Sequence, residues 1–159
     1  MGSLSKALQI GDSSMGVPFA GHFKLEIDDV ELGRFMECKG LVVELVTEDI
    51  PEGGENQFVH KVPKGLKWSN ITLRRGVTET NDLFDWLQES SGIRFSATGS
   101  KLKRRTGRVS MVDAAGETLR TWEFGGAIPV KWTGPEFSAD AKGVATETLE
   151  IAHHGFKTS

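Results

Sequence analysis

The chain lacks much of what several large protein classes depend on. Its 159 residues contain a single cysteine, Cys38, which excludes an internal disulfide framework and fits synthesis in a reducing compartment. No run approaches the roughly 18 apolar residues of a membrane-spanning helix, and the N-terminus shows no hydrophobic secretory core. We therefore expect a protein that is made in the cytoplasm and does not insert into a membrane as a free subunit.

A strong excess of one charge is also lacking. The formal net charge is −3, and the isoelectric point is near 5.8, so no global basic field draws the chain to nucleic acid. The main basic run spans residues 101–108. A site for single-stranded nucleic acid would interleave aromatic residues for base stacking, and the nearest aromatic, Phe95, lies outside the run. A solvated hairpin end is the favoured interpretation, with a nucleic-acid site as the alternative.

The residue patterns of common catalytic, cofactor and metal sites are missing too. The chain contains neither Gly-x-Gly-x-x-Gly nor a P-loop. His153 and His154 are adjacent, and neighbours on a strand point to opposite faces. His22 and His60 offer no ligand spacing, and one cysteine cannot build a thiolate zinc site. The sequence therefore predicts no cofactor, no metal and no catalytic residue.

One short motif keeps an enzyme open as a remote alternative. Gly11-Asp12-Ser13 resembles the nucleophile segment of some esterases, which use a histidine with an aspartate three residues before it. Here Glu150 stands three residues before His153, so that partner is missing. We expect residues 1–16 to form a flexible N-terminal arm instead, and residues 17–159 to form a single domain.

The clearest strand pattern lies in the middle of the chain. Ile71 and Leu73 point one way, while the polar residues between and beside them point the other, as in a half-buried strand: Asn70, Thr72 and Arg74.

The clearest helical pattern follows at once. Leu83, Trp86 and Leu87 recur at the spacing of one helix face. Thr80 is a candidate N-cap and Gly92 a candidate C-terminal stop, so we predict a helix over about residues 80–91.

The rest of the chain reads as strands and turns. Nineteen glycines against five prolines suit a chain with many turns and bulges. We predict a hairpin of residues 19–27 and 33–45, turning at Asp28-Asp29 and bulged at Gly40, where the strand can pass between sheets. A second hairpin is predicted around Gly125-Gly126, with Pro129 at an edge or bulge. The sequence thus predicts a mainly β fold of two packed antiparallel sheets, forming a barrel-like sandwich with one α-helix.

Residues 47–66 are the longest stretch in the body without clear periodicity. They read as a long loop, which in a compact domain is usually functional or mobile. Phe58 in so polar a loop indicates that another surface covers it.

Three blocks of sequence, in order, resemble the phage tail tube protein family of contractile tails. Together they run from about Pro18 to Phe156. The first contains Phe23-Lys-Leu-Glu-Ile-Asp, Gly33-Arg-Phe and Lys39-Gly-Leu; the second contains Asn70-Ile-Thr-Leu-Arg-Arg-Gly-Val and Leu83-Phe-Asp-Trp-Leu; the third contains Trp122-Glu-Phe, Ala127-Ile-Pro-Val-Lys-Trp and Val144-Ala-Thr-Glu-Thr-Leu-Glu-Ile-Ala-His-His-Gly.

The resemblance implies a structural inner tube protein of a myophage tail or a phage-tail-like contractile injection system, and not an enzyme. Its subunits would form hexameric rings with a closed inner barrel, and the rings would stack into a tube inside a contractile sheath. Further partners would be baseplate or spike proteins and tube-terminating proteins, with protein cargo or phage DNA in the lumen. After cytoplasmic assembly, such a particle can be extracellular.

On this interpretation the candidate subunit and ring contacts fall in the long loop and the central strand. They are Gly53, Gly54, Asn56, Phe58, Arg74 and Arg75. A small-ligand-binding β-barrel, which would be a monomer or dimer with a closed pocket, is the alternative.

Overall fold

A computed structural model describes residues 20–51, 59–91, 104–135, 143 and 145–159. Within these residues the chain forms ten strands and one helix, α1, Asp82–Glu89. The strands are β1 Gly21–Ile27, β2 Val30–Phe35, β3 Glu37–Lys39, β4 Val43–Pro51, β5 Val59–Trp68, β6 Ile71–Gly76, β7 Arg105–Asp113, β8 Thr118–Thr133, β9 Thr146–Ala152 and β10 Phe156–Thr158. The predicted N-terminal arm lies outside the described residues.

Eight of the ten strands form two packed layers, which confirms the predicted fold class, and β4 and β5 form a separate two-stranded sheet. All neighbours pair antiparallel in the order β2-β1-β7-β8-β9-β6-β3, with β10 beside β8. The N-terminal part of β8 belongs to the first layer, with β7, β1, β2 and β10. Its C-terminal part belongs to the second layer, with β9, β6 and β3. β8 therefore passes from one layer to the other and forms one of the two corners of the sandwich.

The predicted hairpin around Gly125-Gly126 is wrong, because β8 runs through both glycines without turning back. Gly126 has a φ of +64°, and a Cβ there would clash with the His154 ring. Glycine thus lets the strand bend from one layer into the other. The predicted irregularity at Pro129 is confirmed, since the pairing with β9 shifts register between Pro129 and Lys131.

The second corner lies at Met36, and the predicted crossing at Gly40 is wrong. β2 pairs with β1, whereas β3 pairs with β6, so the chain changes layer at the bend between Phe35 and Glu37. Gly40 instead ends β3 with a φ of +88°, and a Cβ there would clash with the Asn70 carbonyl. The turn at Asp28 and Asp29 is confirmed, with φ values of +50° and +65°.

One apolar core fills the space between the layers and beneath α1. Its buried side chains are Leu25, Ile27, Phe35, Ile71, Leu73, Leu83, Trp86, Val109, Phe124, Ala127, Leu149 and Ile151. The strand predicted around Ile71 and Leu73 is therefore confirmed as β6, with both side chains fully buried.

The predicted helix is confirmed within two residues at each end. Leu83 and Trp86 are buried and Leu87 is half-buried, as the periodicity indicated. The predicted cap is wrong, because Asn81 and not Thr80 occupies the N-cap, and the described residues supply no side-chain hydrogen bond there. Gly92 lies outside the described residues.

The predicted long loop at residues 47–66 is also wrong where the structure describes it. Residues 47–51 belong to β4 and residues 59–66 to β5, and the two strands pair over their whole length. The basic run begins outside the described residues and continues into β7 at Arg105.

Candidate assembly surfaces

The two-stranded arm formed by β4 and β5, here called the β4–β5 arm, is the most exposed part of the described chain. Every residue of β4 is exposed, and among the described residues the two strands pair only with each other. A lone two-stranded hairpin is at best marginally stable in water, because it has no core to bury. Within the described residues, the arm is therefore a two-stranded sheet without a core of its own.

The first face of the arm carries a patch of exposed apolar side chains near its base. Directly paired residues of an antiparallel ladder share a face, and Leu45 pairs with Leu66 while Val43 pairs with Trp68. Leu45 is 53% exposed and Leu66 is 57% exposed. Further out, Asp49 pairs with Lys61, so this face also holds one charge of each sign.

The opposite, second face also carries exposed apolar side chains. They are Val46, Ile50 and Val62. Around them lie two further charge pairs: Glu44 is opposite Lys67 in the register, and Lys64 Nζ is 3.9 Å from Glu48 Oε2. Neither face of the arm thus has the plain polar surface that a solvent-facing side of a sheet normally has.

The base of the arm is fixed to the body by an aromatic cluster. The Trp68 ring meets Phe156 edge-on at 4.8 Å between centroids. His153 Nε2 donates to the Ser69 carbonyl at 2.8 Å, and the Gly155 N–H donates to His153 Nδ1 at 3.0 Å. Since Nδ1 accepts, Nε2 is the nitrogen that donates to the Ser69 carbonyl. The cluster sets the direction in which the arm leaves the body.

A second candidate surface is the outer face of the second layer, which is polar. Strand registers place two rows of side chains across it. They are Lys39-Thr72-Glu150-Lys131 and Glu37-Arg74-Thr148-Thr133. Basic and acidic residues alternate within these rows, so the face has no strong excess of either sign.

Glu37 is the centre of a small ion-pair network on this face. Lys39 Nζ lies 2.7 Å from one carboxylate oxygen and Arg74 Nε 2.6 Å from the other. The hydrogen bond from Lys39, then that from Arg74, lowers the pKa of Glu37 below its ordinary value of 4.5. Arg74, a predicted contact residue, therefore lies on an exposed face but is held by a neighbour in its own subunit.

Arg75, the other predicted contact residue of this strand, is buried. Its Nε donates to Glu147 Oε1 at 2.6 Å, and the Trp132 indole donates to Glu147 Oε2 at 3.2 Å. The guanidinium lies 5.2 Å from the centre of the Phe35 ring, and Gly33 leaves the space it occupies, since a Cβ there would clash with it. Among the described residues, Arg75 Nη2 has no hydrogen-bond partner. In the single subunit, Arg75 joins the two layers.

Two strand edges of the second layer are open. Within the described parts of the chain, β3 has β6 as its only neighbour, and residues 128–133 of β8 have only β9. Open edges expose backbone donors and acceptors that another strand can pair with. Because the edges are at opposite ends of one four-stranded sheet, copies of the chain can add side by side.

Only two of the predicted contact residues lie in the described part of the chain, and the structure places them apart. Arg74 and Arg75 are adjacent but on opposite faces of β6. The others lie outside the described residues: Gly53, Gly54, Asn56 and Phe58. The sequence interpretation missed the apolar residues of the arm itself, although Val42, Val43, Leu45 and Val46 stand close together. Apolar residues at neighbouring positions indicate a strand covered on both faces.

A chemical site is not evident in the described part of the chain. It holds no group of three or more metal-ligating side chains, and none of its helices is long and apolar enough to cross a membrane. Burial raises the pKa of the Cys38 thiol to about 12. The features that stand out in the described residues are surfaces.

Residues 20–157 match the family described as T4-like virus tail tube protein gp19. The chain belongs to this tail tube family. A search of curated proteins finds no significant match. The family match covers both layers, the helix and the arm, so the resemblance of the three sequence blocks is confirmed.

Solved structures show the same fold. A chain of the PVC sheath–tube complex, an extracellular contractile injection system in the extended state, is similar with a TM-score of 0.73 at 24% identity, over 94% of this chain and 96% of that one. A chain of the PVC sheath/tube terminator in the extended state is similar with a TM-score of 0.73 at 26% identity, over 90% of this chain and 96% of that one. Hcp1 from Flavobacterium johnsoniae is similar with a TM-score of 0.50 at 17% identity, over 86% of this chain and 94% of that one. This tail tube protein therefore has a structural tube role.

Proposed function

We propose that this tail tube protein forms hexameric rings that stack into a hollow inner tube inside a contractile sheath, and that sheath contraction drives the tube through a target envelope to deliver cargo. The observation that carries the proposal is the second layer with its two open edges. The protein acts mechanically on this view, without catalysing a reaction.

Ring closure would join the open edge of β3 in one copy to residues 128–133 of the next. Each copy would then contribute β3, β6, β9 and the end of β8 to one continuous barrel. Closing a sheet on itself removes every free edge, and pairing between protomers supplies stiffness. The polar rows that include Thr72, Arg74 and Glu150 would face the lumen. Their mixed charge and lack of aromatic side chains suit a passage that releases its contents.

Ring stacking would use the β4–β5 arm. At about 3.3 Å per residue, its strands reach roughly 30 Å from base to tip. That length lets the arm extend past its own body to another subunit. Residues 53–58, including the predicted contacts Gly53, Gly54, Asn56 and Phe58, belong to the segment that joins the two strands.

The remaining partners follow from the same assembly. A tube inside a sheath contacts sheath protein along its length, a baseplate or spike complex at one end and a terminating protein at the other. Solved relatives of this fold come from sheath–tube, baseplate and cap complexes. We propose cytoplasmic assembly and an extracellular particle, with protein cargo or phage DNA in the lumen.

Disulfide cross-linking across the open edges tests ring closure. In a Cys38→Ser background, Lys39→Cys on β3 is combined with either Thr133→Cys or Lys131→Cys on β8. Two partner positions are used because the register between copies is not fixed by one subunit. Oxidation of at least one pair should give a ladder of covalent species that ends at the hexamer.

The matched controls are the three single-cysteine chains, which can form nothing larger than a dimer. A monomer from both double variants, with no rings or tubes of the wild-type chain by negative-stain microscopy, would contradict the proposal. Light scattering would then identify a monomer or dimer, as expected of a small-ligand-binding barrel. A ladder that ends elsewhere would give the true ring size.

A further inference from the structure

The β4–β5 arm presents apolar side chains on both of its faces. Leu45 and Leu66 lie on the first face, and Val46, Ile50 and Val62 lie on the second, all exposed in the single subunit. An arm that docked through one face would keep its other face polar, because that side would remain in water. The pattern is therefore that of a two-stranded sheet covered on both sides.

The charges on each face indicate what covers them. The first face pairs Asp49 with Lys61, and the second pairs Glu44 with Lys67 and Glu48 with Lys64. Each face is thus balanced by itself and offers no net charge to a strongly acidic or basic partner. Identical copies can approach such a surface without like-charge repulsion. The structural tube role of the protein supplies those copies.

We propose that the β4–β5 arm of each subunit inserts between two other copies of the same chain, one against each face. Two copies are needed because the faces of a strand pair look in opposite directions, so a compact body lying against one face does not reach the other. Three copies then meet at every arm. This inference rests on the proposed tube assembly and specifies how the arm takes part in it.

The consequence is mechanical. An arm held on one side can peel away when the tube is pushed, whereas an arm held on both sides separates only when two interfaces open together. The apolar centre with charge pairs around it also matches the core and rim of protein interfaces. The arm would act as a clamp that links neighbouring subunits into one shell.

Thiol accessibility measures the cover on each face separately. Leu45→Cys for the first face and Val62→Cys for the second are each placed in a Cys38→Ser background. Both changes are small, so assembly should persist. The rate of reaction with a maleimide is compared between assembled tubes and the same variant dissociated by dilution. We expect both thiols to react at least about tenfold more slowly in tubes, since a thiol buried from solvent is protected.

If either thiol reacts equally fast in tubes and in the dissociated protein, the arm is covered on one side only and the inference is overturned. The proposed tube would survive that result, because the tubes themselves would be visible in the same sample. Failure of the wild-type chain to form any rings or tubes would overturn both.

Charge variants give a second measure that does not need a thiol. Leu45→Glu and Val62→Glu should each abolish tubes, while the melting temperature of the subunit stays the same as that of the wild-type subunit. Leu119→Glu makes the same change at an exposed residue of the body and is the matched control. Normal tubes from either arm variant would refute insertion between two copies.

Discussion

The body of the sandwich and the β4–β5 arm are built from similar residues but in opposite ways. In the body, Leu73 and Leu149 are fully buried between two layers. In the arm, Leu45 and Leu66 are more than half exposed. Both regions are antiparallel strands with apolar side chains, so strand formation alone does not explain the difference. The body completes its core within one chain, whereas the arm leaves its apolar surface exposed, and we propose that other chains cover it.

This difference divides stability from assembly. Changes in the body should lower the free energy of unfolding of the subunit, and changes in the arm should alter the assembled state with little effect on that free energy. The predictions below break or sharpen this division, in order of their expected effect on subunit stability.

Trp86→Ala in α1 should have the largest effect. Trp86 is 5% exposed and lies in the core beneath the helix. Removal of a buried tryptophan side chain costs about 3–5 kcal/mol, through lost burial and the cavity left behind. Denaturant unfolding followed by circular dichroism measures this. Phe84→Ala on the same helix should cost less, because Phe84 is 39% exposed and makes an edge-on contact with the Trp132 ring at 5.3 Å between centroids. An unchanged melting temperature for Trp86→Ala would contradict the assignment of the Trp86 face to the core.

Glu147→Ala should cost a similar amount, about 3–5 kcal/mol, because it leaves the buried Arg75 guanidinium without its carboxylate. The double variant Arg75→Met with Glu147→Leu should recover most of that loss, since the buried charge is removed together with its partner. Chemical denaturation of the two variants gives the comparison. Equal losses in both would show that the pair matters for its shape and not for its charge.

Gly107→Ala should cost about 1–3 kcal/mol by overpacking. A Cβ at Gly107 would clash with the Phe124 ring, which is fully buried and cannot move aside. Gly125→Ala is the matched control on the paired strand, because no described atom lies within 4 Å of a Cβ at that position. A thermal melt of both proteins tests the difference, and equal melting temperatures would show that the core around Phe124 is loosely packed.

Deletion of residues 50–60 should change the free energy of unfolding of the body by less than about 0.5 kcal/mol, as for surface changes that remove no core contact. It should nevertheless prevent stacking, because the deletion removes the tip of the arm: the last two residues of β4, the first two of β5 and the segment that joins them. Calorimetry measures the first effect and negative-stain microscopy the second. Tubes of normal length from the deletion protein would end the assignment of assembly to the arm.

The smallest effect is expected from Glu37 on the polar face. Its pKa is lowered by Lys39 and Arg74 below the ordinary value of 4.5. The ion pairs therefore stabilise the subunit fully at pH values above 4.5, and this contribution is lost as the pH falls through the lowered pKa. Glu37→Gln should lower the melting temperature slightly near neutral pH. Well below 4.5 the variant and the wild type should melt together. A difference in melting temperature between variant and wild type that persists at such low pH would show that Glu37 stabilises the subunit by something other than its charge.

The sequence was a good guide where one face of an element is buried inside the subunit. Ile71 and Leu73 alternate with polar residues because one side of β6 meets the core, and Leu83 and Trp86 recur because one side of α1 does. The same reasoning failed for β4 and β5. Neither face of the arm is buried within the subunit, so apolar and polar residues occur on both and no single period emerges.

Two further errors in the predicted strands and turns involve glycine. At Gly125-Gly126 the sequence is compatible with a tight turn or with a bent strand, because glycine tolerates both. In the structure the His154 ring packs against Gly126, where the strand bends. This contact involves a distant part of the chain, so the local sequence does not show it. At Gly40 the strand ends close to the Asn70 carbonyl. The chain changes layer at Met36 instead, and methionine is not a residue that indicates a turn.

The sequence by itself determined that this is a mainly β tail tube protein with one helix and a half-buried central strand, because local periodicity and three ordered blocks of residues carry that information. Only the tertiary structure decided that Arg75 is a buried partner of Glu147, that β8 spans both layers, and that the presumed loop is an exposed apolar arm. The physical reason is that each of these depends on which distant residues meet. A single strand pattern shows that one face must be covered, but not by which part of the chain or by which other copy.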